Sequence, residues 1–169
     1  IFVGQPSEER VDGARAMLAD GLYARAGKPD FALAIHDDAT FEAGKVAVIG
    51  GPVMAAGWSV DVTIRGVGGH GARPETTKDP VVMAASTVMK LQTVVSRTVD
   101  PTDVAVVTVG SMHAGTKENI ISDKAELELT VRTFEEGVRE KVLAAIERIV
   151  HGEAQSAGAT RDPEVDLLY

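Results

Sequence analysis

The chain has 169 residues, 44% of them apolar, which suits one ordinary domain, or a small domain with a piece of another, and excludes a disordered chain. Its 25 acidic and 17 basic residues give a formal charge of -8, spread without long like-charge runs, which argues against a nucleic-acid or anionic-membrane surface. With no cysteine, any metal must be held by His, Asp or Glu, and no apolar run approaches the roughly 20 residues that span a bilayer.

Ile1-Phe2-Val3 leads into Gly4-Gln5-Pro6 with no turn or cap before it and reads as a short strand reached from an upstream segment. The adjacent carboxylates Glu8 and Glu9 follow. In a site one could bind a metal while the other moves a proton; in a plain helix start both would complement the macrodipole. Val11, Ala14, Met17, Leu18 and Leu22 recur at helical spacing until Gly27-Lys28-Pro29, which predicts one helix. Phe31 to Ile35 is continuously apolar and ends in His36-Asp37-Asp38. That is the pattern of a buried parallel strand with polar groups at its carboxyl end, where open sheets hold ligands, although a lone histidine is also an ordinary loop residue. Residues 45 to 57 give a further apolar stretch broken by Gly50-Gly51-Pro52.

After Trp58 the period becomes that of a strand with one wet face, Val60, Val62 and Ile64 alternating with Asp61, Thr63 and Arg65. The loop from Gly66 to Pro74 allows close backbone approach at four glycines and offers His70 and Arg73 as donors. It lacks the Lys-Ser or Lys-Thr pair and the immediate helix start of a phosphate cradle, so nucleotide binding is set aside. Asp79-Pro80 opens a helix whose apolar stripe is Val81, Ala84, Ala85, Val88, Leu91 and Val95. A β-branched strand runs from Val104 to Val109, and Gly115 to Asn119 reads as a turn. Ala125, Leu127, Leu129 and Val131 then alternate in another strand. Thr133 and Glu136 have capping-box spacing before a helix with Val138, Val142, Ala145, Ile146 and Ile149 inward, and a weak strand lies near Glu164 to Leu168. Strand, helix, strand, strand, helix, strand is the split arrangement of a ferredoxin-like domain.

Taken together and in this order, Gln5-Pro-Ser-Glu-Glu9, Ala34-Ile-His36, Gly51-Pro-Val-Met-Ala55, Gly68-Gly-His-Gly-Ala72, Asp79-Pro-Val81, Val106-Val-Thr-Val-Gly110, Asn119-Ile-Ile121 and Thr130-Val-Arg-Thr-Phe134 resemble one family over nearly the whole chain. It is the zinc-type metal-dependent amidohydrolases, the group of hippurate hydrolase, auxin-conjugate hydrolases, N-acetyl-diaminopimelate deacetylase and aminoacylase-like carboxypeptidases. The resemblance implies an α/β fold class: a partial metallopeptidase-like α/β catalytic domain in 1–57, then a ferredoxin-like α+β dimerisation (lid) domain in 58–169. It implies hydrolysis of the amide bond of N-acyl amino acids, with hippurate-like substrates, by metal-activated water. Glu8 takes the role of general base, Glu9 and His36 those of metal ligands. His70 would polarise the scissile carbonyl in the partner subunit's site, and Asn119 and Arg132 would receive the substrate carboxylate. The full site would carry two divalent ions, with zinc, manganese, cobalt and nickel all compatible with carboxylate and imidazole ligands. A cytoplasmic homodimer acting on a small molecule is expected, with no nucleic acid and no membrane.

The chain departs from the pattern in four places. The His-Ala-Cys-Gly-His-Asp type motif and a later histidine that complete the family's site are not among these residues, so the chain alone is expected to be inactive. Asp37-Asp38 and Lys117-Glu118 replace the residues usual beside His36 and Asn119. The contrasting expectation is a self-standing dimerisation or binding module without catalysis.

Overall fold

A computed structural model describes residues 1–168, and the chain divides into two compact units, Ile1–Val48 and another from Ile49 onward. In the first, a 3-10 turn at Glu8–Arg10 precedes α1 (Gly13–Ala19) and α2 (Leu22–Ala26). The single helix expected from Val11 to Leu22 is therefore broken. Gly21 adopts φ 84, a left-handed conformation that ends one helix and caps the next. Gly13 has no room for a side chain, since a Cβ there would stand 1.6 Å from the Pro6 carbonyl oxygen.

The strands expected at Ile1 to Val3 and at Phe31 to Ile35 do not form, nor does residues 45–55 contain one. Leu33 and Ile35 are 100% and 99% exposed. A strand of a parallel sheet is held by hydrogen-bonded neighbours on its flanks, and no described residue of this unit provides one. An apolar run without such neighbours has no ladder to join.

The second unit follows the ferredoxin-like order. Its strands are β1 (Ala56–Arg65), the short β2 (Gly69–His70), β3 (Ala105–Ala114), the short β4 (Ile120–Ile121), β5 (Lys124–Thr133) and β6 (Glu164–Leu167). Its helices are α3 (Pro80–Arg97) and α4 (Glu136–Ser156). The main sheet has the order β3-β5-β1-β6 with every pairing antiparallel, while β2 and β4 form a separate ribbon. Val60, Val62 and Ile64 of β1 and Leu127, Leu129 and Val131 of β5 turn toward the helices, meeting Met83, Leu91, Val94, Val142 and Ile146 in one core. The alternate positions, among them Asp61, Glu128 and Arg132, face away from it.

Asp79 caps α3 as its sequence predicts, its Oδ1 accepting the Val81 N–H at 2.9 Å. The stripe is rotated from the expected one. Met83, Ala84, Thr87, Leu91 and Val94 are buried, whereas Val81, Ala85 and Val95 are exposed. Apolar residues surround this helix, so its spacing alone does not choose a face. At α4 the capping box is not used. Thr133 ends β5, in register with Ala56 and Ala105, and Glu135 is the residue before the first turn. The other end of α4 closes with Gly158 at φ 68, Gly158 N–H returning to the Gln155 carbonyl at 3.0 Å and Ala159 N–H to that of Ala154 at 2.9 Å.

Candidate functional site

The glycine-rich loop owes its composition to four close approaches. A Cβ on Gly66 would lie 2.0 Å from the Lys78 carbonyl oxygen, on Gly68 2.8 Å from that of Ile121, on Gly69 2.7 Å from Thr77 Cγ2, and on Gly71 3.2 Å from the Asn119 carbonyl oxygen. Glycine lets the loop lie flat against the 119–123 segment and the approach to α3. The result is the β2–β4 ribbon, with Gly69 opposite Ile121 and His70 opposite Ile120. Gly71 N–H donates to the Asn119 carbonyl at 2.8 Å, so His70 and Asn119, some fifty positions apart in sequence, become neighbours.

The turn after β2 is tightly bonded. Arg73 N–H donates to the His70 carbonyl at 2.8 Å and Ala72 N–H donates to His70 Nδ1 at 3.0 Å, while His70 itself is exposed. Beside the ribbon lies an open cleft of about 610 Å³, walled by Asp79 and Val81 on one side and Thr116, Lys117 and Ile120 on the other. Arg132 stands elsewhere. β5 runs from Lys124 to Thr133, so at roughly 3.3 Å per residue Arg132 lies roughly 26 Å along the strand from the end near the ribbon. It pairs across the ladder with Gly57, whose missing side chain leaves the guanidinium lying over the backbone.

In the first unit, Glu8 and Glu9 occupy the exposed 3-10 turn, flanked by Ser7 at φ 54 and Val11 at φ 60. Left-handed backbone at non-glycine residues costs on the order of 1 kcal/mol each and concentrates at functional segments. His36 is exposed, and its Nδ1 lies 2.5 Å from the Asp37 carbonyl oxygen. A carbonyl only accepts, so Nδ1 carries a proton, and in the neutral ring Nε2 keeps its lone pair. That hydrogen bond holds His36 above the ordinary imidazole range, and the charges of Asp37, Glu8 and Asp38 act in the same direction. Asp38 serves its own loop. Its Oδ1 accepts from the Thr40 N–H at 2.8 Å and the Thr40 hydroxyl at 2.6 Å, which holds its carboxyl below the ordinary range.

Glu9 and His36 have the donor chemistry of a zinc-type site, but among the described residues no three His, Asp or Glu side chains stand together as a ligand set. The structure thus brings His70 to Asn119 and Glu8 within electrostatic reach of His36, and leaves Arg132 far from the ribbon. Sequence patterning missed the ribbon and the Ala72 amide. The β-branched pair Ile120-Ile121 after a glycine turn was the signal for the first.

Comparison with known proteins identifies the family of this fold. Residues 56–157 match the family described as the peptidase dimerisation domain. The chain is 41% identical over 152 residues to an N-acetyldiaminopimelate deacetylase from Anoxybacillus flavithermus, covering 90% of this chain and 40% of that protein. It is 40% identical to the deacetylase of the same name from Priestia megaterium, with the same coverage. Among solved structures, a Bacillus subtilis protein described as a dinuclear metal-binding peptidase is similar at a TM-score of 0.66 and 30% identity, covering 98% of this chain and 39% of that one. The chain thus spans about 40% of the length of the relatives it matches.

Proposed function

This chain belongs to the peptidase dimerisation domain family, and from that premise we propose that it is part of a metal-dependent amidohydrolase that cleaves the amide bond of N-acyl amino acids. Residues 1–57 are read as a piece of the catalytic domain and 58–169 as the dimerisation lid. The names of the relatives favour an N-acetylated diamino acid within that class, with hippurate-like substrates as the wider set. Glu9 and His36 supply two of the ligands for a pair of divalent ions. When bound, the ions would supply an acidified water. Glu8 would accept a proton from a water at that site. His70 donates a hydrogen bond to the scissile carbonyl, and Asn119 and Arg132 meet the substrate carboxylate.

The observation that carries this reading is the placement of His70 and Asn119 together at one end of the domain, with Arg132 roughly 26 Å away along β5. An amino-acid-sized ligand cannot bridge that gap, so in a homodimer the ribbon of one subunit serves the site of the other. The test uses the enzyme with its full catalytic domain. Alanine at His70 should lower kcat by about 10² to 10³-fold, as loss of one oxyanion donor does. Mixing His70→Ala subunits with Glu8→Gln subunits should then restore part of the activity, because some heterodimers hold one complete site. Mixtures no more active than the separate variants would refute the shared site.

A further inference from the structure

We propose that the turn after β2 fixes His70 as the neutral Nε2–H tautomer, with the Ala72 backbone amide as the positioning group, so that the atom offered to a ligand is always a donor. The proposal rests on the reading of His70 as a substrate contact and specifies which chemistry that contact can perform. An amide N–H can only donate. Because the Ala72 N–H reaches Nδ1 at 3.0 Å, Nδ1 must present its lone pair, and the single proton of the neutral ring sits on Nε2.

This contact is built into the backbone. The Gly71 N–H is engaged by the Asn119 carbonyl at 2.8 Å and the Arg73 N–H by the His70 carbonyl at 2.8 Å, so the Ala72 N–H is the one amide of this turn directed at the ring. Nε2 is the ring nitrogen left free, on an exposed residue. His36 has the opposite arrangement, since the Asp37 carbonyl at 2.5 Å requires a proton on Nδ1 and leaves Nε2 bare. The nearest backbone group thus sorts the two histidines. One shows a lone pair suited to a cation, the other an N–H suited to a carbonyl or carboxylate oxygen. In this state His70 cannot act as a general base through Nε2; it binds and polarises an oxygen.

The test reads the tautomer without turnover. The full chain, labelled with ¹⁵N-histidine and held about two pH units above the ordinary imidazole pKa of ~6.5, should show a pyrrole-like Nε2 and a pyridine-like Nδ1 for His70. Its signals are assigned by their loss in His70→Gln. Ala72→Pro removes the donor and should move the population several-fold toward Nδ1–H, while Ala72→Gly leaves it unchanged. A wild-type spectrum dominated by Nδ1–H overturns the proposal, as does an unchanged spectrum in a folded Ala72→Pro protein. If that variant does not fold, the wild-type spectrum decides alone. In the enzyme with its catalytic domain, His70→Gln, whose amide nitrogen falls near the place of Nε2, should retain about 10²-fold more kcat than His70→Asn, whose amide falls near Nδ1. An Nδ1–H spectrum leaves the proposed function standing, whereas full activity in His70→Ala removes the substrate-contact role of His70 and leaves the tautomer measurable.

Discussion

Neighbouring residues of one type can carry different duties, and Glu8 and Glu9 are the case in which this chain tests it. Both sit on a short turn bounded by two left-handed residues. In the enzyme with its catalytic domain, Glu8→Gln should keep its metal and lose kcat by about 10² to 10⁴-fold, the value of a general base. Glu9→Gln should come out of metal analysis depleted. The reverse pattern would exchange the two roles. At the buried extreme, the hydroxyls of Thr87 and Thr133 are fully enclosed and have no hydrogen-bond partner in the structure. Each bears a desolvation cost that a methyl would not, so Thr87→Val and Thr133→Val should each raise the unfolding free energy by about 1 kcal/mol in urea titrations. A loss of stability in both would mean that a partner, such as a bound water, satisfies them.

Among the elements, β6 is the shortest of the main sheet and depends on a side-chain pair as well as its ladder. Arg65 Nε donates to Glu164 Oε1 at 2.8 Å, and that guanidinium holds the Glu164 carboxyl below its ordinary 4.5. A depressed carboxylate stabilises the fold above its unfolded pKa, and the contribution fades as the pH falls through the lower folded value. Glu164→Gln should therefore show a shallower acid loss of stability than wild type as the pH falls below the ordinary carboxylate value of 4.5, with faster amide exchange in β6 at neutral pH. Equal acid limbs would show that the pair does nothing.

The same scale shows what the sequence made legible. β1, β5, α3 and α4 were readable because alternation or helical spacing repeats through them, and the Asp79-Pro80 cap was readable because its chemistry is local. The rotated stripe of α3 was not, since Val81, Val82, Ala85 and Met89 are as apolar as the residues it buries. The strand expected at Phe31 to Ile35 failed for a related reason. Apolarity states that a segment suits burial, while a sheet also demands a hydrogen-bonded neighbour. Within the candidate site, residue types were visible one by one, but the meeting of His70 with Asn119 depends on contacts between loops that no periodicity encodes.

For the molecule as a whole, the rotation of α3 has a direct use. Val82 and Met89 are 64% and 71% exposed on α3, and β3 is the edge of the sheet with no strand on its far flank among the described residues. An uncharged edge next to an apolar helix face is a surface that a monomer would leave open to aggregation. The proposed homodimer would cover it with a second copy related by two-fold symmetry. Sedimentation should give a dimer at micromolar concentration, and Met89→Asp should shift it to monomer with unchanged helix content. A wild-type monomer at that concentration would remove this assembly. The arrangement of β1 beside β6 points further. Leu168 N–H donates to the Ser59 carbonyl at 3.0 Å, so β1 and the segment through β6 to Leu168 lie side by side, about 5 Å apart. Residues 56–168 should therefore behave as a portable module. A host protein could receive them in any surface loop whose ends stand one strand spacing apart, or the two ends could be joined and the ring reopened elsewhere, without breaking a single rung of the sheet.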